Sequence, residues 1–191
     1  MGRKPNLERK PELLEQVIAW LCAHGIGDLS LRPLAKALRV STYALVYHFG
    51  SREGLLAEAL GELERRQRAM VAAWFARGAP STPELIQRYW DWCSAAENLP
   101  VMRLVIEASA LEATRSGLPA SLREGLITDW VASLTEGLRH DGLAADAART
   151  TATLTNAAII GLALDLLATG DRRRTNRAVR DLIERLRAQI A

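Results

Sequence analysis

Apolar residues recur at helical spacing along most of the chain, and glycine and proline residues divide that pattern into segments. The first segment covers about residues 8–24 and stops at Gly25, which suits the left-handed position after a helix end. Two short segments follow, and Ser30 and Ser41 are placed to cap them at their N-termini. A longer segment begins at Arg52. The N-terminal part is therefore predicted to hold three helices, of which the second and third are short and joined by a tight turn.

The rest of the chain also favours helices, because Ala, Leu, Arg and Glu dominate and β-branched residues rarely cluster. One helix is expected from Arg52 to about Arg77. Later helices are expected at about residues 84–97, 100–116, 119–140, 145–169 and 172–190. The sequence thus predicts an all-α fold of about nine helices. We divide it into a three-helix domain over residues 1–51 and a larger helical domain over residues 52–191.

Composition is typical of a folded globular protein, with 49% hydrophobic and 25% charged residues in a chain of 191. The basic N-terminus lacks the apolar run of a secretory signal. The longest apolar stretch, residues 157–168, is too short to cross a bilayer of about 30 Å and contains Asp165. We therefore expect a cytoplasmic protein without a membrane span.

Residue types that carry catalysis or bind metals do not cluster in the sequence. Cys22 and Cys93 both lie in apolar helical segments, and the three histidines show no i, i+4 pairing with each other or with cysteine. The chain also lacks a nucleophile–base set, a phosphate-binding glycine loop and carboxylates paired at catalytic spacing. The sequence predicts no metal site, no cofactor and no enzymatic activity.

Positive charge is concentrated at one end of the chain. Residues 1–52 hold eight Lys or Arg against four Asp or Glu, a net charge of +4, whereas the remainder has 17 bases and 18 acids, a net charge of −1. Such an asymmetry is typical of a small N-terminal domain that contacts nucleic acid, although a solvated basic face has the same composition.

The stretch from Leu13 to Leu56, LLEQVIAWLCAHGIGDLSLRPLAKALRVSTYALVYHFGSREGLL, resembles the DNA-binding domain of the TetR (tetracycline repressor) family. The resemblance lies in a helix, a glycine, a Ser/Thr cap, a Val-Ser pair and an aromatic-rich helix ending in Phe, Ser and a base. It implies a helix-turn-helix whose second member enters the major groove of operator DNA. Arg39 replaces the usual turn glycine, so it must accept a left-handed backbone or open the turn. Val46 replaces a tyrosine, which leaves open whether Tyr43 or Tyr47 reaches DNA.

Candidate DNA contacts fall into two groups. The candidates for phosphate contact are two helix caps and three cations: Ser30, Ser41, Arg32, Lys36 and Arg52. The candidates for contact with base edges lie on the third helix: Thr42, Tyr43, Ala44, Tyr47 and His48. Each has an ordinary alternative, since the serines would cap helices in any protein and the aromatic side chains could belong to the domain's core.

The last two helices are candidates for a homodimer interface. An apolar stripe runs along the last helix: Val179, Leu182, Ile183, Leu186 and Ile190. The helix before it is rich in small residues that permit close approach: Ala147, Ala148, Thr151, Ala158 and Gly161. The two helices of each subunit would form a four-helix interface, unless these faces close the core of a monomer.

A set of residues on three consecutive helices, with one residue from the next-to-last helix, is the candidate lining of a ligand cavity: Trp90, Cys93, Met102, Ile106, Glu107, Trp130, Leu134 and Asn156. Such a stripe is more often simply core. The family resemblance implies an unidentified small-molecule inducer here. We therefore expect a repressor that holds palindromic DNA as a dimer and is released by its ligand; the alternative is a constitutive DNA-binding regulator or an activator without a ligand.

Overall fold

A computed structural model of the chain describes residues 9–76, 78, 80–114 and 129–190. Within these residues the chain forms nine α-helices and no strand, as the all-α prediction requires. Their bounds are α1 Lys10–His24, α2 Leu31–Ala37, α3 Thr42–Phe49, α4 Arg52–Phe75, α5 Thr82–Ser94, α6 Leu99–Thr114, α7 Asp129–His140, α8 Ala145–Thr169 and α9 Arg172–Ile190. The ends differ from the predicted ones by a few residues, and the first part of the helix predicted at 119–140 lies outside the described residues.

The first hydrophobic cluster joins α1, α2 and α3, which we call the head, to α4 and α6. Leu34, Leu45 and Leu55 are fully buried in it, and α6 contributes Leu104 and Ala108. Because burial of apolar area is the main stabilising force, the head is held by the same core that holds the start of α4. The domain boundary predicted at residues 51 and 52 is therefore crossed by continuous packing.

The second hydrophobic cluster lies between α5, α6, α7, α8 and α9. The apolar stripe of the last helix is used here, since Val179, Ile183 and Leu186 are at most 3% exposed. These three residues of the α9 stripe therefore lie in the core of the monomer, and Leu182 and Ile190 pack against that core while partly exposed. Trp90 anchors α5 to α9 by donating from its indole Nε1 to Asn176 Oδ1 at 2.7 Å.

The turn between α2 and α3 is built on Arg39, whose φ of +54° places it in the left-handed region. The N–H of Val40 donates to the carbonyl of Ala35 at 3.0 Å, and the N–H of Arg39 donates to that of Lys36 at 3.3 Å. This pair of bonds is a Schellman motif, which usually has glycine at the left-handed position. Arg39 accepts the left-handed backbone, at a cost of about 1 kcal/mol, and the turn stays closed.

One face of α8 is covered by neighbouring helices and another is bare. The helix packs against α7 and α9. By length and composition alone it would suffice to cross a membrane, with a mean hydropathy of 1.5 over 18 residues of which 28% are buried. Leu154 and Leu164 are 65% and 51% exposed. The helix thus combines a face in the protein core with an apolar face that no described residue covers.

Candidate DNA-contact surface and ligand cavity

Helix α3 presents an aromatic face to solvent. Its N-terminus is capped by Ser41, whose Oγ accepts from the N–H of Ala44 at 3.1 Å. Tyr43 is 67% exposed and Tyr47 45% exposed, and their rings lie 6.3 Å apart. Thr42 is exposed beside them, and so is Val46 at 43%, although the sequence did not single it out as a contact. This face can meet base edges and thymine methyl groups.

His48 lies on the opposite side of α3. It is 9% exposed, its ring packs edge-on against Tyr47 and Phe49, and its Nδ1 is buried without a partner among the described residues. His48 follows the buried Leu45 by three residues, and residues at this spacing lie on the same face of a helix. This corrects its assignment to the base-contacting set: His48 belongs to the core of the head.

The phosphate candidates on α2 are free to meet an anion. Arg32 and Lys36 are exposed and form no hydrogen bond or ion pair within the part of the chain that the structure describes. Ser30 occupies the N-cap with an extended backbone, but its side chain makes no capping hydrogen bond. The hydroxyl that the sequence assigned to capping is therefore open to solvent.

Arg52 was predicted to contact a DNA phosphate, but its guanidinium binds groups of the same chain. Its Nε donates to the carbonyl of Leu29 at 2.8 Å, and a terminal nitrogen donates to that of Ile26 at 3.5 Å. A second terminal nitrogen lies 3.6 Å from Glu53 Oε1. The guanidinium thus fastens the start of α4 to the loop between α1 and α2. The sequence predicted a phosphate contact from the charge and position of Arg52, and it could not show that these backbone carbonyls bind the guanidinium.

A cavity of about 270 Å³ lies among α4, α5, α7 and α8. This volume lies just below the usual range for small-molecule sites, about 300–1,000 Å³. The walls are mainly aliphatic and aromatic, formed by Val71, Phe75, Leu85, Ile86, Ile159 and Ile160. Polar groups also reach it from Gln67, Arg68, Ser133, Thr155 and Asn156. A largely apolar lining with a few polar groups is the usual build of a small-molecule site.

Three of the residues predicted to line a ligand cavity do line this one: Trp130, Leu134 and Asn156. Trp90, Cys93 and Met102 are at most 1% exposed and belong to the second cluster, against which Ile106 packs. Since these four side chains fill the space between helices, they are corrected from lining to core. Burial also raises the pKa of the Cys93 thiol to about 12.

Glu107 is the fifth predicted lining residue that lies elsewhere. Its Oε2 accepts from the N–H of Ile26 at 2.6 Å, and its Oε1 is 3.6 Å from Arg103 Nε. Arg103 in turn donates to the carbonyl of Cys22 at 2.6 Å. Gly25 has a φ of +83°, and a Cβ there would lie 3.0 Å from the carboxylate. Glu107 and Arg103 thus form a clasp that ties α6 to the end of α1.

Residues from α4 and α5 form much of the cavity and were not predicted to do so. Tyr89 lies 5.4 Å from Trp130 between ring centroids, and burial raises the pKa of its hydroxyl well above the usual range. The Arg68 guanidinium lies 5.8 Å from the centre of the Trp130 ring, and its Nε is 2.7 Å from Glu64 Oε1. Gln67 could have been found from sequence, because it follows Leu63 by four residues on the apolar stripe of α4.

Among the residues that the structure describes, no group of three or more His, Cys, Asp or Glu side chains could hold a metal ion. The titratable groups in these ranges lie singly or in ion pairs, mostly with arginine and, for Glu58, with Lys10. The surfaces that remain as candidates for function are thus the exposed face of α3, the cations of α2, the cavity and the bare face of α8.

Residues 18–59 match the family described as "Bacterial regulatory proteins, tetR family", which confirms the resemblance noted in the sequence. No curated protein matches the chain. A TetR transcriptional regulator from Legionella pneumophila has a TM-score of 0.72 at 20% identity, with 97% of each chain covered.

Two further solved structures share the fold. A protein from Saccharomonospora viridis in complex with choline has a TM-score of 0.80 at 18% identity, covering 94% of this chain and 97% of that one. BioQ with its natural double-stranded DNA operator has a TM-score of 0.58 at 23% identity, covering 94% and 98%. At these sequence identities, the likeness to the solved structures concerns the fold alone.

Proposed function

We propose that this chain, which has a TetR-family N-terminal domain, is a transcriptional repressor that holds palindromic operator DNA as a homodimer and releases it when a small molecule fills the cavity. In this proposal residues 1–51 read DNA in the cytoplasm, and residues 52–191 bind the ligand and pair the subunits. The observation that carries it is the aromatic face of α3, exposed on a head whose other side is packed into the core.

DNA contact is supported by the chemistry around that face. Thr42, Tyr43, Ala44 and Tyr47 offer methyl, ring and hydroxyl groups to base edges. On α2, Arg32 and Lys36 are exposed cations that have no partner among the described residues. Ser30 and Ser41 at the helix starts add hydroxyls suited to phosphate oxygens. The fold also occurs in BioQ, which was crystallised with its operator.

Dimerisation is supported by the bare face of α8. Seven of its exposed positions follow an alternating spacing of three and four residues and are uncharged: Ala147, Thr150, Leu154, Ala157, Gly161, Leu164 and Ala168. Such spacing suits the packing of one helix against another. Gly161 leaves open space where a Cβ would stand, so a second helix can approach closely. Two copies would cover this face and place two heads for two half-sites.

Ligand control is supported by the cavity and its position. One wall of the cavity is formed by the second half of α4, and the first half of the same helix packs in the core of the head. The conformation of the dimer sets the distance between its two heads. A ligand that binds better to a conformation in which this distance does not fit the operator shifts the population away from the DNA-bound form. The protein from Saccharomonospora viridis, in complex with choline, shows that a protein of this fold takes a small molecule.

The test begins with selection of bound sites from random DNA, which should yield a palindrome. Affinity for that site is then measured against salt concentration for the native protein and for Arg32→Ala, with Arg180→Ala on the exposed side of α9 as the matched control. Loss of one phosphate contact per subunit makes the slope of log affinity against log salt shallower by about 1.8. The control should keep the native slope. Recovery of no site by a folded dimer would refute the proposal.

A further inference from the structure

Gln67 is a polar side chain buried in the wall of an apolar cavity. It lies on α4 and is 4% exposed, among neighbours that are mostly hydrophobic. Its Nε2 is inaccessible to solvent and has no hydrogen-bond partner among the described residues. A buried donor that lacks a partner is uncommon in folded proteins, because the lost hydrogen bonds to water are not replaced. Something that enters the cavity can supply the missing acceptor.

The Gln67 amide lies in the cavity wall, and a half-turn about its last side-chain bond exchanges the positions of its oxygen and its nitrogen, so the N–H can be the end that faces the cavity. That torsion joins tetrahedral and planar carbons and is broad, so the amide can turn without strain. The group that satisfies it must carry an oxygen or nitrogen lone pair. A carbonyl oxygen does so without adding a donor that would itself need a partner in the apolar walls.

Charge in the cavity restricts the ligand further. No carboxylate is among the described residues that line it, and Tyr89 stays protonated because burial raises the pKa of its hydroxyl. Arg68 faces the Trp130 ring, so the aromatic surface that a cationic ligand would use already has a positive neighbour. The Arg68 charge is in turn held by Glu64 at 2.7 Å. Among the described residues that line the cavity, neither a cation nor an anion finds an uncommitted counter-charge.

We propose that the cavity recognises a compact, uncharged, mostly apolar molecule through one carbonyl oxygen, which accepts a hydrogen bond from Gln67 Nε2. This inference rests on the proposed ligand-responsive function and specifies the chemistry of the ligand. The aliphatic walls supply affinity in proportion to the apolar area buried, and the amide supplies discrimination.

The experiment uses probes of one shape with different polarity. Acetophenone carries a carbonyl, and α-methylstyrene has a methylene group in place of that oxygen. Phenyltrimethylammonium and benzoate supply the positive and negative counterparts. Dissociation constants are measured by calorimetry and by tryptophan fluorescence on the full chain, for the native protein and for Gln67→Met, which keeps the side-chain length. Gln87→Met is the matched control, since the Gln87 amide already donates to Asp91 at 2.8 Å on the surface.

Gln67→Met should shift the ratio of the acetophenone and α-methylstyrene constants by about tenfold in favour of α-methylstyrene, as expected for one buried hydrogen bond. Because hydration of the free probes is the same in both experiments, it cancels when the ratio for the variant is compared with the ratio for the native protein. Gln87→Met should leave it unchanged, and both ionic probes should bind more weakly than acetophenone to the native protein.

An unchanged ratio in folded Gln67→Met overturns the inference but leaves ligand control standing. Tighter binding of either ionic probe than of acetophenone also overturns it, as does the absence of binding by every probe. DNA binding measured on the same samples reports separately on the proposed function.

Discussion

The clasp between α6 and α1 allows a local prediction about stability. Ile26 is 3% exposed, and its N–H is bound by the Glu107 carboxylate at 2.6 Å. Glu107→Ala removes the acceptor and leaves a buried donor without a partner, which costs about 2 kcal/mol. For a chain of this length each kcal/mol lowers the melting temperature by roughly 2–4 °C, so a fall of about 4–8 °C is expected.

Glu107→Gln separates the acceptor from the charge. The amide oxygen can still accept from Ile26, but the charge-assisted bond becomes a neutral one of about half the strength. The fall in melting temperature should therefore be about half that of Glu107→Ala. Glu136→Ala is the control, because its ion pair with Arg139 is exposed and contributes little.

Amide hydrogen exchange locates the effect. Protection at the Ile26 amide should fall in Glu107→Ala by more than protection in α8, since the missing bond is local. If the Ile26 amide of Glu107→Ala is as protected as in the native protein, and the melting temperature is unchanged, the clasp does not hold the head and the reasoning is wrong.

Three other substitutions or reactions follow from the structure. Gln67→Met should raise the melting temperature of the ligand-free protein by about 2–4 °C, because it removes an unpartnered buried amide that destabilises the fold by about 1 kcal/mol. A melting temperature below that of the native protein would contradict this. Arg39→Gly should change the free energy of unfolding in urea by less than about 0.5 kcal/mol, because relief of strain is offset by the freer unfolded chain, whereas Arg39→Val should be clearly destabilising. Cys93 should resist a thiol reagent at pH 8 until the protein unfolds, because its raised pKa leaves a thiolate fraction on the order of 10⁻⁴; rapid labelling of the native protein would show that the side chain is accessible.

The sequence predicted the helices well because their signals are local. Apolar spacing, the cap at Ser41 and the glycine after α1 each act within a few residues. The exposed face of α3 was also predictable, since the aromatic positions alternate with buried ones over two turns. His48 was misassigned because histidine is a residue type that often contacts DNA, whereas its position on α3 places the side chain on the buried face.

Roles that depend on distant partners could not be predicted in this way. Glu107 binds an N–H that is 81 residues away, and Arg52 binds carbonyls 23 and 26 residues away. No periodicity encodes such pairs. Trp90 was predicted to line the cavity because it belongs to the stripe on three consecutive helices. In the structure its ring is buried in the core and its N–H donates to Asn176 on α9.

The uncharged face of α8 has a consequence for the choice of partner. The seven positions of this face carry leucine, alanine, threonine and glycine, so charge can act against a related chain only from neighbouring positions such as Asp146 and Arg149. Along the middle of the face the fit depends on shape, above all on the open space beside Gly161 into which a large side chain of the partner can fit. If two copies pair through this face as proposed, regulators of this fold with the same pattern of large and small side chains in one cell would also form mixed pairs. Such a pair would recognise an asymmetric site made of two different half-sites, and so connect genes that neither homodimer controls.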